Sequence, residues 1–104
     1  MIVEVDLRTE PARARLLEPD DFKGFKLIVL DGGSTAAARL REVGIPRVEE
    51  HAWIPADVVR GLAGSAATKE WGESFAAMVE FARSRGWLDE ELAAIRAHVE
   101  RPGV

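Results

Sequence analysis

One apolar stripe constrains this chain more than any other feature. Trp71, Phe75, Met78, Val79 and Ala82 recur at steps of four, three, one and three, and only a helix brings such positions onto one face. The pattern predicts a long helix near residues 68–85. Thr68 can cap its start, Glu70 and Glu73 sit toward the positive end of its dipole, and Arg83 and Arg85 toward the negative end. Gly86 supplies a left-handed terminator, after which Trp87 folds back onto the last turn.

That stripe needs a surface to bury against, and the first half of the chain supplies strands. Val3, Val5 and Leu7 alternate with Glu4, Asp6 and Arg8, the period of a strand with one face in a core. Residues 12–17 read as a short extended partner, delimited by Pro11 and Pro19. FKLIVLD over residues 25–31 is continuously apolar at its centre, which predicts a strand buried on both faces in the middle of the sheet. A short helix follows at residues 36–43, stopped by Gly44 and Pro46. Residues 47–54 read as one further strand, with His51 and Trp53 on one face and Ala52 and Ile54 on the other. Pro55 suits the first turn of a helix over residues 55–62 that buries Val58, Val59 and Leu62. Residues 89–100 combine helix formers with strict alternation at Ile95, Ala97 and Val99, and a turn followed by a strand is the reading adopted.

With 104 residues the chain has room for one domain and one core. The expected fold class is α+β: a small, largely antiparallel sheet of about four strands with two or three helices packed on it. Composition narrows function by exclusion. There is no cysteine, which removes disulfides, thiolate nucleophiles and cysteine metal sites. A formal charge of -4 opposes the phosphate attraction on which nucleic-acid binding depends. The opening residues MIVEVDLRTE lack the basic start and apolar stretch of an export signal, and no run is long enough to span a bilayer. A cytoplasmic location and no membrane partner are therefore expected.

Three stretches, HAWIPADVVRGLAG, W..SF.AMVEFARSRGWLDEE and IRAHVE, together resemble a group of small actinobacterial proteins of about this length. The likeness covers residues 51–100 well and the first half loosely. It implies an extended final segment and brings no activity with it.

The candidate chemistry is sparse. Gly32, Gly33, Ser34 and Thr35 follow an apolar strand and precede a helix, an arrangement that can present free N–H groups to an anion. Neither phosphate-loop spacing is present and Asp31 would repel an anion, so a turn with a capped helix is the favoured reading. His51 and His98 are the only histidines, hence the natural acid–base or metal-ligating groups. Glu49, Glu50 or Glu100 could complete a metal site if the two strands are neighbours, although no ligand motif requires one. None of Ser34, Ser65, Ser74 and Ser84 sits in a nucleophile elbow, and the adjacent acid pairs do not suit a glycosidase. Trp53, Trp71 and Trp87 lie at element ends, where large rings can line a pocket or an interface, although covering helix ends in a small core is the favoured reading.

Two functional expectations result. The first is a non-enzymatic domain acting through protein contact, as a homodimer formed by a sheet edge or an apolar patch near Trp53. The second is a small-molecule binding protein or minor enzyme with a pocket in which His51 is the polar group, Trp53 and Trp71 are walls, and His98 is nearby. No cofactor and no metal are expected in either.

Overall fold

The computed structural model describes residues 1–30 and 36–102. Along the chain run β1 (Ile2–Asp6), β2 (Arg13–Leu17), β3 (Lys26–Leu30), α1 (Ala36–Glu42), β4 (Arg47–Val48), β5 (His51–Pro55), α2 (Ala56–Ala63), α3 (Lys69–Ser84), β6 (Leu88–Asp89) and β7 (Ala94–Glu100). A 3-10 turn at Gly64–Ala66 joins α2 to α3. The class is α+β, with three α-helices.

The sheet corrects the expectation of about four largely antiparallel strands. Its strand order is β2-β1-β3-β7-β5-β4, with β6 attached to β7 off that path. β3 pairs in parallel with both β1 and β7, while β2–β1, β7–β5, β5–β4 and β6–β7 are antiparallel. The sheet is therefore mixed. The physical reason is that β1, β2 and β3 do not form a simple meander: β3 passes back beyond β1, and the final strand enters beside it. Periodicity reports which face a residue occupies and carries no information on which strand is its neighbour.

Three further expectations are corrected. The Lys26–Leu30 strand is buried on one face only: Leu27 and Val29 are fully buried, whereas Ile28 and Leu30 are half-buried on a face that no second layer covers among the described residues. An apolar run has the same letters whether one or both faces are packed. The single strand expected over residues 47–54 is two, because the chain reverses at Glu49 and Glu50 and pairs Val48 with Ala52. Pro55 ends β5 and precedes α2 as its N-cap rather than occupying its first turn.

One face of the sheet carries Val3, Val5, Leu27, Val29, Ala52, Ile54, Ile95 and Ala97, all buried against the helices. α2 packs against both β5 and β2. α3 forms as its stripe predicts: Thr68 Oγ1 accepts the N–H of Trp71 at 3.1 Å, and Trp71, Phe75 and Ala82 are buried while Met78 and Val79 are half-buried. Trp71 and Phe75 stack with centroids 4.9 Å apart, and the Trp71 indole N–H donates to the Pro19 carbonyl at 2.8 Å. Phe22 leans on Trp71 at 6.1 Å. The β2–β3 connection is thereby fixed to the helix.

The end of α3 is a Schellman closure. Gly86, at φ 77°, donates to the Arg83 carbonyl, and the Trp87 N–H reaches the Ala82 carbonyl at 2.8 Å. Trp87 then offers its own carbonyl to the Arg96 N–H at 2.8 Å. One residue thus couples the helix end to β7. Among the described residues, no helix is long and apolar enough to cross a membrane.

Candidate functional site

The site arises from the way β7 divides one of its edges between two partners. Near its start, that edge pairs with β6, as Leu88 with Ile95 and Asp89 with Ala94. Further on, the same edge pairs with β3, from Lys26 opposite His98 to Ile28 opposite Glu100. The Arg96 N–H points to Trp87, and the His98 N–H to the Phe25 carbonyl at 3.4 Å. Between these two contacts the sheet has a seam, flanked by Trp87 on one side and Phe25 on the other.

A cleft of about 210 Å³ opens at this seam. Phe25, Met78, Phe81 and Trp87 supply apolar walls, and His51, His98, Arg96 and Lys23 supply polar groups. Ala82 and Ile95 complete the lining. Each wall is placed by a feature already described: α3 brings Met78 and Phe81, its terminal closure brings Trp87, and the Trp71–Phe22–Pro19 anchor holds the loop bearing Lys23 and Phe25. Within that loop the Lys23 N–H donates to the Asp21 carboxylate at 3.1 Å, a bond that holds the carboxyl below its ordinary value.

His51 and His98 face each other directly in the β5–β7 register. The Arg96 and His98 N–H groups are directed to the opposite edge of β7, so the histidine pair occupies a non-hydrogen-bonded position of the antiparallel ladder. Side chains come closest at such positions, with Cβ atoms about 4.5–5.5 Å apart. Among the described residues no cluster of three or more metal-ligating side chains is present. Two imidazoles alone are not a structural metal set.

The rim is a ladder of rings and guanidinium groups. Phe81, 58% exposed, meets the Trp87 ring edge-on at 5.9 Å. Arg96 and Arg85 each lie over the Trp87 ring at 5.3 Å, and Arg85 also approaches Phe81 at 5.9 Å. Lys26, just outside the cleft, is held by Glu100 at 3.3 Å. Among the described residues the lining carries two cationic side chains, Lys23 and Arg96, two imidazoles and no acid, in a chain whose formal charge is -4. No serine or threonine lines it among the described residues, so the proton-transfer groups at hand are the imidazoles and the Lys23 amine.

Of the residues singled out in the sequence, the structure brings His51 and His98 together and leaves Trp53 and Trp71 outside the cleft. Trp71 is 4% exposed in the core, where its N–H serves Pro19. Trp53 is half-buried on the uncovered sheet face, opposite Arg96 in register. Gly32, Gly33, Ser34 and Thr35 lie outside the described residues. Trp87, the third of the rings at element ends, does line the cleft, whereas sequence reasoning missed Lys23, Phe25, Met78, Phe81 and Arg96. The alternation in IRAHVE puts Arg96 on the face of His98, which was a usable signal for that residue.

Comparison with family models, curated proteins and solved structures finds no match. The resemblance noted in the sequence therefore carries no function into the site.

Proposed function

We propose that this protein binds a small molecule in the cleft at the β3–β6 seam, as a binding protein rather than as a catalyst. The observation that carries this reading is the convergence of His51 and His98 with the walls formed by Phe25, Met78, Phe81 and Trp87. Ligand sites combine apolar walls with a few converging polar groups in this way. The volume of about 210 Å³ is below the range of about 300–1,000 Å³ for drug-sized ligands, so the ligand is metabolite-sized. A cytoplasmic setting belongs to this proposal.

The three tryptophans make the test specific, because each indole N–H reports a different place: Trp87 the cleft, Trp71 the core and Trp53 the open face. In a fragment screen followed by nitrogen–proton correlation spectra, binders are expected to move the Trp87 indole signal while that of Trp71 stays put. A diverse set of one- and two-ring fragments that never moves Trp87 would overturn the reading.

The protein-contact reading rests on a narrower observation, the uncovered sheet face bearing Ile28, Leu30 and Trp53. The sheet edges do not favour it. β2 presents exposed Arg13 and Arg15, and β4 has only two residues, both features that discourage edge pairing. A homodimer through the open face would appear in sedimentation as a two-fold mass at high micromolar concentration, and a monomer there would remove self-association through that face.

A further inference from the structure

We propose that the ligand of the cleft is an organic anion with a flat ring body, of the class of aryl carboxylates. The inference rests on the reading of the cleft as a ligand site and goes beyond it by fixing the charge and shape of the occupant.

Charge is the first argument. Acidic residues outnumber lysine and arginine by eighteen to fourteen over the whole chain, yet the cleft gathers Lys23 and Arg96 beside His51 and His98, and no carboxylate lines it among the described residues. Of the acids near the cleft, Glu100 holds Lys26 and Asp21 accepts the Lys23 backbone N–H, while Glu49 and Glu50 lie on the exposed reversal before His51. Two like charges that share one cleft, Lys23 and Arg96, favour an opposite charge that joins them. A carboxylate entering between Arg96 and the histidines would accept several charge-assisted bonds at once, since a guanidinium donates in a planar fork suited to it.

Shape is the second. Phe25, Phe81 and Trp87 present three rings to a small space, and the guanidinium of Arg96 lies over the Trp87 ring. A planar body can stack or meet ring edges there with little loss of freedom, while its acid group reaches the basic side. A cationic ligand would face Lys23 and Arg96 with no counter-charge in the lining among the described residues.

The experiment compares 2-naphthoate with 2-naphthamide and 2-naphthylmethylamine, three probes of similar size and different charge, by calorimetry and by the Trp87 indole signal. The carboxylate is expected to bind at least tenfold more tightly than the amide, which corresponds to about 1.4 kcal/mol. Lys23→Gln, at an exposed position that leaves the core intact, and Arg96→Gln should each lower carboxylate affinity severalfold and so narrow the acid-to-amide affinity ratio. Lys26→Gln, outside the cleft, should change neither. Equal binding of acid and amide, or preference for the amine, would overturn the charge assignment while the cleft remains a ligand site. If no probe moves Trp87, both the assignment and the ligand-site reading fall.

Discussion

Trp71→Phe is the substitution whose consequence can be worked most closely from the structure. Phenylalanine can keep the stacking on Phe75, now at 4.9 Å, so that contribution is largely retained. What is lost is the indole N–H bond to Pro19 and the space that only the larger ring fills. The Pro19 carbonyl belongs to a half-buried residue and can be taken over by water, so the bond costs about 1 kcal/mol. The residual void in a site only 4% exposed adds about 1–2 kcal/mol. A total of about 2–3 kcal/mol is a large part of the 5–15 kcal/mol that stabilises a typical domain. It corresponds to a fall in Tm of about 10–15 °C for a chain of this size. Urea unfolding followed by circular dichroism gives the free energy directly, and hydrogen exchange gives its location. Amides of residues 18–25 should lose protection more than those of β7, because Pro19 and Phe22 are the groups the indole holds. A loss below about 0.5 kcal/mol, or uniform exchange, would refute the idea that Trp71 anchors the loop forming one wall of the cleft.

Other substitutions test other joints. Gly44 has φ +90° and a Cβ there would stand 2.8 Å from Val58 Cγ2, so Gly44→Ala should destabilise by about 2–4 kcal/mol, with Val58→Ala recovering the steric share in a double-mutant cycle. Gly72, inside α3 with open space around its missing Cβ, predicts the opposite sign: Gly72→Ala should raise stability by about 0.5–1 kcal/mol in the same urea assay. The Arg8 side chain donates to the Asp6 carboxylate and holds its pKa below the ordinary 3.8. Because that value is depressed in the folded state, the associated stability is present above 3.8 and lost as pH falls through the folded pKa. Titration of the Asp6 carboxyl by NMR should therefore show an upward shift in Arg8→Ala, and an unchanged midpoint would contradict the contact.

Much of the scaffold was legible because it follows local rules. The stripe on α3, the Thr68 cap, the Gly86 closure and the alternation of β1 each depend on residues a few positions apart. Pairing was not legible in the same way. β3 and β7 are joined in parallel although Leu27 and Val99 are far apart in sequence, and no periodicity encodes that meeting. Apolar letters at Ile28 and Leu30 were equally consistent with a covered or an open face, and only the absence of a second layer among the described residues decides it. The cleft shows the same division. The pairing of His51 with His98 could be anticipated as a condition on neighbouring strands. Its ring walls come instead from the segment before β3, the outer flank of α3 and the residue after Gly86, which only the assembled fold brings together.

The seam of β7 is most directly tested by nuclear Overhauser contacts among the side chains that flank it. The structure predicts a cross-peak between the imidazole protons of His51 and His98, together with contacts from the Trp87 ring to Arg96 and Phe81. Spectra in which the two imidazoles show no mutual contact and Trp87 touches neither residue would contradict the β5–β7 register and the seating of Trp87 at the seam and, with them, the cleft.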